Sequence, residues 1–154
     1  MALLKIGDSA PEFSTIDQDG NPIKLSDFRG SKVILYFYPK ADTPGCTAES
    51  CNLRDNYSDL LDKGFKIIGV SADNQSKQKK FAEKYQLPFT LIPDVEKDVL
   101  KAFGTWGMKK MYGKDYEGIL RTTYLIDESG KIEKVFEKVD TKDHAAQILK
   151  AMQG

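Results

Sequence analysis

Two long apolar stretches constrain this chain more than any other feature of its sequence. They are "KVILYFYP", residues 32–39, and "FKIIGVSA", residues 65–72, and both are rich in β-branched and aromatic side chains. Strands of this composition are covered on both faces, which is typical of parallel sheets packed between helices. Between them, four apolar residues recur at the spacing of one helix face, on a helix that ends at Gly64: Leu53, Tyr57, Leu60 and Leu61. The sequence therefore predicts a strand–helix–strand unit with parallel strands.

The same alternation of helices and strands continues on both sides of this unit. Before it, the chain predicts a short hairpin that turns at Asp19 and Gly20, because this residue pair adopts positive φ at little cost. After it, a helix around Phe81, a short strand at "PFTLI" and a helix near residues 95–103 are expected. We interpret these segments as further layers of one α/β sheet structure.

The C-terminal third predicts a loop, a hairpin and a helix. Residues 104–118 are rich in glycine, aromatic and Met side chains, which favours a long and partly ordered loop. "ILRTTYLI" and "KIEKVFEKV" then flank a turn, and an apolar stripe predicts a last helix after Asp140 or Thr141. This order of elements resembles the thioredoxin fold with an N-terminal β-hairpin extension. We expect a single thioredoxin-like domain over residues 1–154, with a central mixed sheet flanked by helices.

Composition limits the partners and the compartment that this chain suggests. The 154 residues carry 23 basic and 23 acidic side chains, so no overall charge attracts the chain to nucleic acid or an anionic membrane. The N-terminal segment is too short and too polar for a secretory signal, and no apolar run approaches the length of a membrane span. We therefore expect a cytoplasmic protein, in which a cysteine pair forms disulfides transiently rather than as a permanent crosslink.

Both cysteines of the chain lie in "DTPGCTAESC", residues 42–51. Pro44 and Gly45 shape a turn after the first strand, so Cys46 falls in the first turn of the following helix. Unsatisfied backbone N–H groups at a helix start, together with a nearby cation, favour a thiolate over a thiol. Cys46 is therefore a candidate nucleophile, although a buried and inert cysteine is the more common alternative.

Cys51 lies five residues further along the same predicted helix. Helical spacing places it on the polar face, whereas Cys46 is nearly aligned with the apolar residue Leu53. In a regular helix, Cα atoms five residues apart are separated by about 8.6 Å, but a disulfide requires less than about 7 Å. A bond between the two sulfur atoms would therefore require the start of the helix to unwind.

The stretch "PKADTPGC" carries a family resemblance. It fits the Pro-x-x-x-Thr-x-x-Cys signature of the peroxiredoxins, and "YFYPKADTPGCTAESC" is similar to their Q-type, or bacterioferritin-comigratory, branch. The similarity extends from about Gly7 to the last helix and includes "WGMKKMYGK" and "GILRTTYLID". The resemblance implies a role for six residues: Cys46 as peroxidatic cysteine, Cys51 as resolving cysteine, Arg121 as charge partner, Thr43 and Pro39 as companions in the site, and Glu49 as the residue that orients the arginine.

The resemblance also implies the reaction. The Cys46 thiolate attacks a hydroperoxide, Arg121 and the Thr43 hydroxyl stabilise the charges, and the N–H groups of Gly45 and Cys46 complete the donors. The sulfenic acid formed at Cys46 is captured by Cys51 as an intrachain disulfide, which thioredoxin or a similar dithiol protein reduces. No metal or organic cofactor is expected. A monomer is favoured because the pair lies in one chain, although dimers also occur in the family.

Several alternatives remain open at this stage. Arg121 can be a salt-bridged edge residue or an interface residue in an apolar strand, Thr43 a turn or helix-cap hydroxyl, and Glu49 a solvated carboxylate at the helix start. Trp106, Met108, Met111 and Tyr112 can form an apolar rim around the site or a docking surface for the reductase, but apolar cover under a loop is favoured. His144 is expected to be exposed and receives no role. A thiol–disulfide oxidoreductase is a second possible function, although it lacks the Cys-x-x-Cys pair, and a non-catalytic binding or holdase module is a third.

Overall fold

The computed structural model describes residues 3–111 and 113–153. It contains nine strands: β1 (Ser14–Ile16), β2 (Pro22–Lys24), β3 (Lys32–Phe37), β4 (Phe65–Ser71), β5 (Thr90–Pro93), β6 (Trp106–Met111), β7 (Lys114–Ile119), β8 (Thr122–Ile126) and β9 (Ile132–Phe136). The described residues also form five α-helices: α1 (Pro44–Asp55), α2 (Tyr57–Asp62), α3 (Gln75–Lys84), α4 (Asp98–Ala102) and α5 (His144–Gln153). A short 3-10 helix covers Leu25–Phe28.

A five-stranded mixed sheet forms the centre of the molecule. Its strand order is β5-β4-β3-β8-β9, in which β3, β4 and β5 are parallel and β8 and β9 are antiparallel to their neighbours. The first apolar stretch is the middle strand of this sheet. Its alternate side chains enter two different core clusters, Leu35 and Phe37 on one face and Ile34 and Tyr36 on the other. The prediction of a central mixed sheet covered by helices is confirmed.

The predicted N-terminal hairpin is present as a separate two-stranded sheet of β1 and β2. Its turn is closed by the Asp17 carboxylate, which accepts hydrogen bonds from the N–H groups of Asp19 at 2.8 Å and Asn21 at 3.0 Å. Gly20 has φ of 83°, a conformation that favours glycine because other residues are strained there. The hairpin therefore forms for the reason that its turn residues indicated.

The predicted loop at residues 104–118 is wrong. Strands β6 and β7 form an antiparallel hairpin there, in which Gly107 pairs with Gly118 and the Trp106 indole donates to Glu117 at 3.0 Å. The hairpin is largely exposed, so it lacks the alternation of apolar and polar residues from which strands are predicted. Trp106 packs against the core as expected, but Met108 is 62% exposed. Of the other two residues expected to give cover, Tyr112 and the side chain of Met111 lie outside the described residues.

The helix predicted between the two apolar strands is two helices rather than one. It breaks at Asn56, where φ is −107° and ψ is 9° and where the side-chain amide donates to the backbone oxygen of Asn52 at 2.8 Å. This contact competes with continued helix formation, as Asn side chains commonly do. The break separates α1, which carries both cysteines, from α2, which ends before Gly64 as predicted. Helix α1 is thus a separate element of twelve residues.

Candidate active site

The turn between β3 and α1 is fixed by contacts with β4 and α3. The Ala41 N–H donates to the Asp73 carboxylate at 2.7 Å, directly after β4. Asp42 adopts a left-handed conformation with φ of 60°, and its carboxylate accepts from Lys84 Nζ at 2.9 Å and the Tyr85 hydroxyl at 2.6 Å. Such a conformation is uncommon for residues other than glycine and persists where neighbouring contacts impose it. The start of α1 is therefore held in a defined position.

Cys46 is the third residue of α1 and is only 1% exposed. Thr43 occupies the N-cap position, but its hydroxyl donates to the Lys40 carbonyl oxygen at 2.7 Å and makes no capping bond. The helix-cap alternative for Thr43 is therefore wrong, whereas its hydroxyl does serve the turn, as the other alternative expected. Within the described part of the chain, no side chain caps the first turn, so the N–H groups of Gly45 and Cys46 can meet an anion beside the sulfur atom.

Arg121, which directly precedes β8, connects Cys46 to Glu49. Its Nη2 atom lies 3.2 Å from Cys46 Sγ, and its Nη1 atom donates to Glu49 Oε1 at 2.6 Å. It lies between β7 and β8 rather than within a strand, so the placement in an edge strand is wrong, but the salt bridge of that alternative is present, with Glu49. A Cβ atom at Gly45 would lie 3.3 Å from Nη2, which shows how closely the guanidinium approaches the backbone of α1. The sulfur atom of Cys46 and the carboxyl group of Glu49, both on α1, therefore share one guanidinium.

Glu49 is completely buried, so the alternative of a solvated carboxylate is wrong. Burial raises the pKa of Glu49 to about 7, and the charge of Arg121 together with its hydrogen bond opposes this rise. At neutral pH the carboxyl is therefore divided between its neutral and ionised forms. Burial is also the dominant influence on Arg121 and lowers its pKa, but the anionic neighbours Cys46 and Glu49 outweigh it, so the pKa of Arg121 is raised.

Known proteins are similar to this chain in sequence. The profile of the AhpC/TSA family matches residues 6–135. Peroxiredoxin Bcp of Escherichia coli is 49% identical over 146 residues, which are 95% of this chain and 94% of that protein. Peroxiredoxin Bcp of Bacillus subtilis is 45% identical over 149 residues, which are 97% and 95%. The chain belongs to the AhpC/TSA family.

Solved structures of peroxiredoxins also match the fold. Peroxidoxin BcpB of Mycobacterium tuberculosis superimposes with a TM-score of 0.85 at 34% identity, covering 97% of each chain. The bacterioferritin comigratory protein of Xanthomonas campestris, whose alkyl peroxide reduction activity has been described, gives a TM-score of 0.88 at 30% identity, covering 99% of this chain and 98% of that one. This chain is a peroxiredoxin, a thiol-dependent peroxidase with the thioredoxin fold, as its sequence implies.

In this peroxiredoxin the second thiol lies away from the first. Cys51 is half-buried in the middle of α1, and both cysteines are free. Burial raises the pKa of the Cys51 thiol, while the positive charge of Arg54 lowers it and the negative charge of Asp55 raises it further. The structure therefore places Cys51 on a less buried side of the helix than Cys46. Because α1 is intact between them, the two sulfur atoms cannot bond without local unwinding.

Pro39 lies at the end of β3, beyond the last ladder hydrogen bond, which Tyr38 donates to Val70 at 3.1 Å. It is half-buried and begins the connection to α1. Because proline has no N–H group, it ends the ladder at this point and lets the chain leave the sheet. The structure thus places the residues of the expected site in the β3–α1 connection and in α1, except Arg121, which lies directly before β8.

His144 is the residue of this site that sequence analysis missed. It is buried, not exposed as expected, and its pKa falls to about 4, chiefly because of burial. Its Nε2 atom lies 2.9 Å from the Thr123 hydroxyl and 3.7 Å from Glu49 Oε2. A signal was present, because His144 precedes the buried residue Ile148 by four positions and so belongs to the apolar stripe of α5.

Proposed function

We propose that Cys46 is the peroxidatic cysteine of this enzyme and that it reduces hydrogen peroxide and organic hydroperoxides. Its sulfur attacks the nearer oxygen of the peroxide, so that an S–O bond forms as the O–O bond breaks. Sulfur is oxidised by two electrons to a sulfenic acid, and the leaving alkoxide or hydroxide takes up a proton as alcohol or water. The observation that supports this assignment most directly is the 3.2 Å contact between Arg121 Nη2 and Cys46 Sγ at the start of α1.

The neighbours of Cys46 suit the charges of this displacement. The guanidinium of Arg121 stabilises the thiolate before attack and the negative charge that develops on the peroxide. The Thr43 hydroxyl already donates to Lys40, so we assign it the remaining role of accepting a hydrogen bond from the peroxide O–H group. The N–H groups of Gly45 and Cys46 are donors for the reacting oxygens. Pro39 shapes the connection, and Glu49 holds Arg121 in place.

We propose that Cys51 resolves the sulfenic acid by forming an intrachain disulfide with Cys46 and releasing water. Oxidation converts the anionic sulfur to a neutral group, so the attraction between Arg121 and the start of α1 is lost. Unwinding of α1 then brings the sulfur atoms together and exposes Cys51, which removes the burial that raises its pKa. A dithiol protein of the thioredoxin type would reduce the disulfide.

The cofactor requirement, the compartment and the oligomeric state of the enzyme are also proposals. No group of three or more His, Cys, Asp or Glu side chains in the described part of the chain is placed to hold a metal ion. Among the described helices, none is long and apolar enough to cross a membrane. We propose a cytoplasmic monomer that needs no cofactor and binds neither nucleic acid nor membranes. Its oligomeric state can be measured by light scattering in both redox states.

Peroxide consumption with a thioredoxin regenerating system tests this function. Cys46→Ser should abolish turnover, whereas Cys51→Ser should permit one turnover and then accumulate a sulfenic acid that dimedone traps. Mass spectrometry after one equivalent of peroxide should show the Cys46–Cys51 disulfide in the native protein only. Turnover that survives Cys46→Ser would overturn the assignment of the nucleophile, and unchanged thioredoxin-driven cycling of Cys51→Ser would overturn that of the resolving cysteine.

A further inference from the structure

A buried oxygen beside the proposed site lacks a hydrogen-bond partner. Glu49 uses Oε1 to accept from Arg121, but its Oε2 atom has no partner among the described residues. Nε2 of His144 lies 3.7 Å from this oxygen, and both side chains are completely buried. An unsatisfied buried polar atom costs about 1–3 kcal/mol. A proton on Oε2, directed at Nε2, would remove the unpaired negative charge from this buried position.

The orientation of the imidazole is fixed by Gln147. The amide nitrogen of Gln147 donates to the Lys138 carbonyl at 2.8 Å, and its Oε1 atom accepts from the Asp140 N–H at 2.9 Å, which determines which end is oxygen. The same Oε1 atom lies 2.9 Å from Nδ1 of His144. Because an amide oxygen only accepts hydrogen bonds, Nδ1 carries the ring hydrogen. In the neutral ring, Nε2 is then an acceptor.

Nε2 therefore presents a lone pair to two neighbours, the Thr123 hydroxyl and the Glu49 carboxylate. The hydroxyl can donate, but an ionised carboxylate cannot, so two acceptors face each other when Glu49 is charged. We propose that Glu49 and His144 form a buried dyad that carries one proton, on Oε2 and directed toward Nε2, and that this proton controls how much of the charge of Arg121 is available to the Cys46 thiolate. His144 is thus a positioning residue of the reaction proposed above, on which this inference rests.

The effect on the reaction follows from counting charges. With its proton the dyad is neutral, and the guanidinium of Arg121 opposes a single anion, the thiolate of Cys46. Without that proton, two buried anions compete for one cation, and Glu49 is the closer of the two at 2.6 Å against 3.2 Å. Loss of the proton therefore weakens the stabilisation of the thiolate and of the charge that develops during attack.

The other ionisable groups around the dyad come from three further elements. Arg121, before β8, favours the charged form of Glu49 and the neutral form of His144. Asp140, before α5, favours the charged form of His144. The hydroxyl of Tyr36, on β3, stays protonated because burial raises its pKa well above the usual value. The pKa directions of Glu49, upward, and His144, downward, agree with a proton that resides mainly on the carboxyl.

The single histidine of the chain makes the dyad directly observable. Nitrogen NMR of the imidazole in the reduced protein should show the Nδ1–H tautomer at neutral pH. The Nε2 resonance should follow one ionisation near pH 7, the value to which burial raises the pKa of Glu49. This ionisation should disappear from the Nε2 resonance in Glu49→Gln, whose amide can donate permanently to Nε2.

Thermodynamic reciprocity supplies a second arm of the NMR experiment. If the dyad proton favours the thiolate, then the thiolate must favour the dyad proton equally. In Cys46→Ser, which carries no anion at this position, the dyad should lose its proton at a pH lower by about one unit, a tenfold change in proton affinity. Identical midpoints in the native protein and in Cys46→Ser would overturn the proposal. This readout needs no peroxidase activity, so it remains valid if the proposed function fails.

Kinetics test the consequence for the reaction. The second-order rate constant for hydrogen peroxide should fall at high pH as the dyad loses its proton. This descending limb of the pH profile should disappear in Glu49→Gln. In His144→Phe the proton loses its acceptor, so the limb should move to lower pH. Phe136→Leu is the matched control, because Phe136 contacts the His144 ring edge-on, with centroids 5.8 Å apart, but does not ionise. A limb that moves equally in both variants would show that packing alone is responsible and would overturn the proposal.

Discussion

Arg121 serves two anionic neighbours through different nitrogen atoms. Nη1 donates to Glu49 and Nη2 contacts Cys46, so the planar guanidinium bridges two positions of α1 that are almost one turn apart. Lysine has a single ammonium group and cannot reproduce this geometry, even though it carries the same charge. The specificity of the contact is therefore geometric as well as electrostatic.

Replacement of Arg121 should separate these two contributions. Loss of one preorganised donor to a reacting centre typically costs a factor on the order of a hundred or more, so Arg121→Ala should slow the second-order reaction with peroxide by about that factor. Arg121→Lys should fall between native and Ala because charge remains but one contact is lost. Stopped-flow peroxide consumption measures both rates, and Arg29→Ala, outside the site, controls for the loss of a cation. A native rate in Arg121→Ala would contradict the assigned role.

Helix α1 is the element that must change shape during the catalytic cycle. Between the cysteines it is held by Glu49, which contacts Arg121, and by Ser50, whose hydroxyl lies 2.8 Å from the Tyr36 hydroxyl in the core. Beyond the second cysteine, Asn52 accepts the Ala145 N–H at 2.8 Å and so links α1 to the first turn of α5. Each of these contacts stabilises the intact helix and opposes its unwinding.

The Ser50–Tyr36 contact should therefore slow disulfide formation. Ser50→Ala alone leaves the Tyr36 hydroxyl buried without a partner, and the cost of that unpaired group would add to the effect of the lost hydrogen bond. The double replacement Ser50→Ala with Tyr36→Phe removes both hydroxyl groups, so neither is left buried without a partner. A typical net hydrogen-bond contribution of about 1 kcal/mol corresponds to an increase of about five-fold in the unwound population.

Quenched-flow mass spectrometry can follow the disulfide after a pulse of peroxide. The double variant should form it about five times faster than the native protein, while the preceding sulfenic acid step keeps its rate. Thr122→Ser is a suitable control, because Thr122 donates its hydroxyl to Leu120 outside α1. Disulfide formation at the native rate in the double variant would show that Ser50 does not restrain the helix.

At the scale of the whole molecule, the sequence predicted the elements whose burial produces a regular pattern of apolar residues. It missed the elements that have no such pattern. The continuous apolar stretches located β3 and β4, and the Pro44–Gly45 turn located Cys46 at the start of α1. The β6–β7 hairpin was missed because exposed strands keep no apolar alternation. The helix break at Asn56 was missed because it depends on one local side-chain contact.

The site itself shows the same limit. Arg121 and Cys46 are 75 residues apart, so their 3.2 Å contact follows from pairing of β8 with β3, which periodicity in one segment cannot reveal. Family resemblance supplied that pair, but it supplied nothing for His144. The buried environment of His144 depends on α5 packing against α1, a contact between elements that are distant in sequence.

The dyad predicts an unusual pH dependence of global stability. Folding raises the pKa of Glu49 from 4.5 to about 7 and lowers that of His144 from 6.5 to about 4. Between pH 4.5 and 6.5, each state therefore binds one proton: the unfolded chain on the imidazole and the folded protein on the carboxyl. Folding moves the proton from one group to the other without net uptake, so the native pair contributes almost no slope to stability in this range.

Single replacements should expose the two opposing contributions. In Glu49→Gln only the lowered pKa of His144 remains, so its contribution to stability is present above pH 6.5 and is lost as pH falls through about 4. In His144→Phe only the raised pKa of Glu49 remains, so its contribution is present below pH 4.5 and is lost as pH rises through that raised pKa, which lies below the native value of about 7 once Nε2 is absent. Each loss is on the order of 3 kcal/mol, at about 1.4 kcal/mol per pKa unit.

Urea denaturation of the reduced proteins at a series of pH values measures these slopes as differences from the native protein. The Glu49→Gln difference should grow less destabilising with rising pH, and the His144→Phe difference should grow more destabilising. The double variant has neither group, so its free energy of unfolding should run parallel to the native curve between pH 4.5 and 6.5. Parallel curves for both single variants would mean that the two side chains titrate in the folded protein as they do in the unfolded chain, and that no proton is transferred between them on folding.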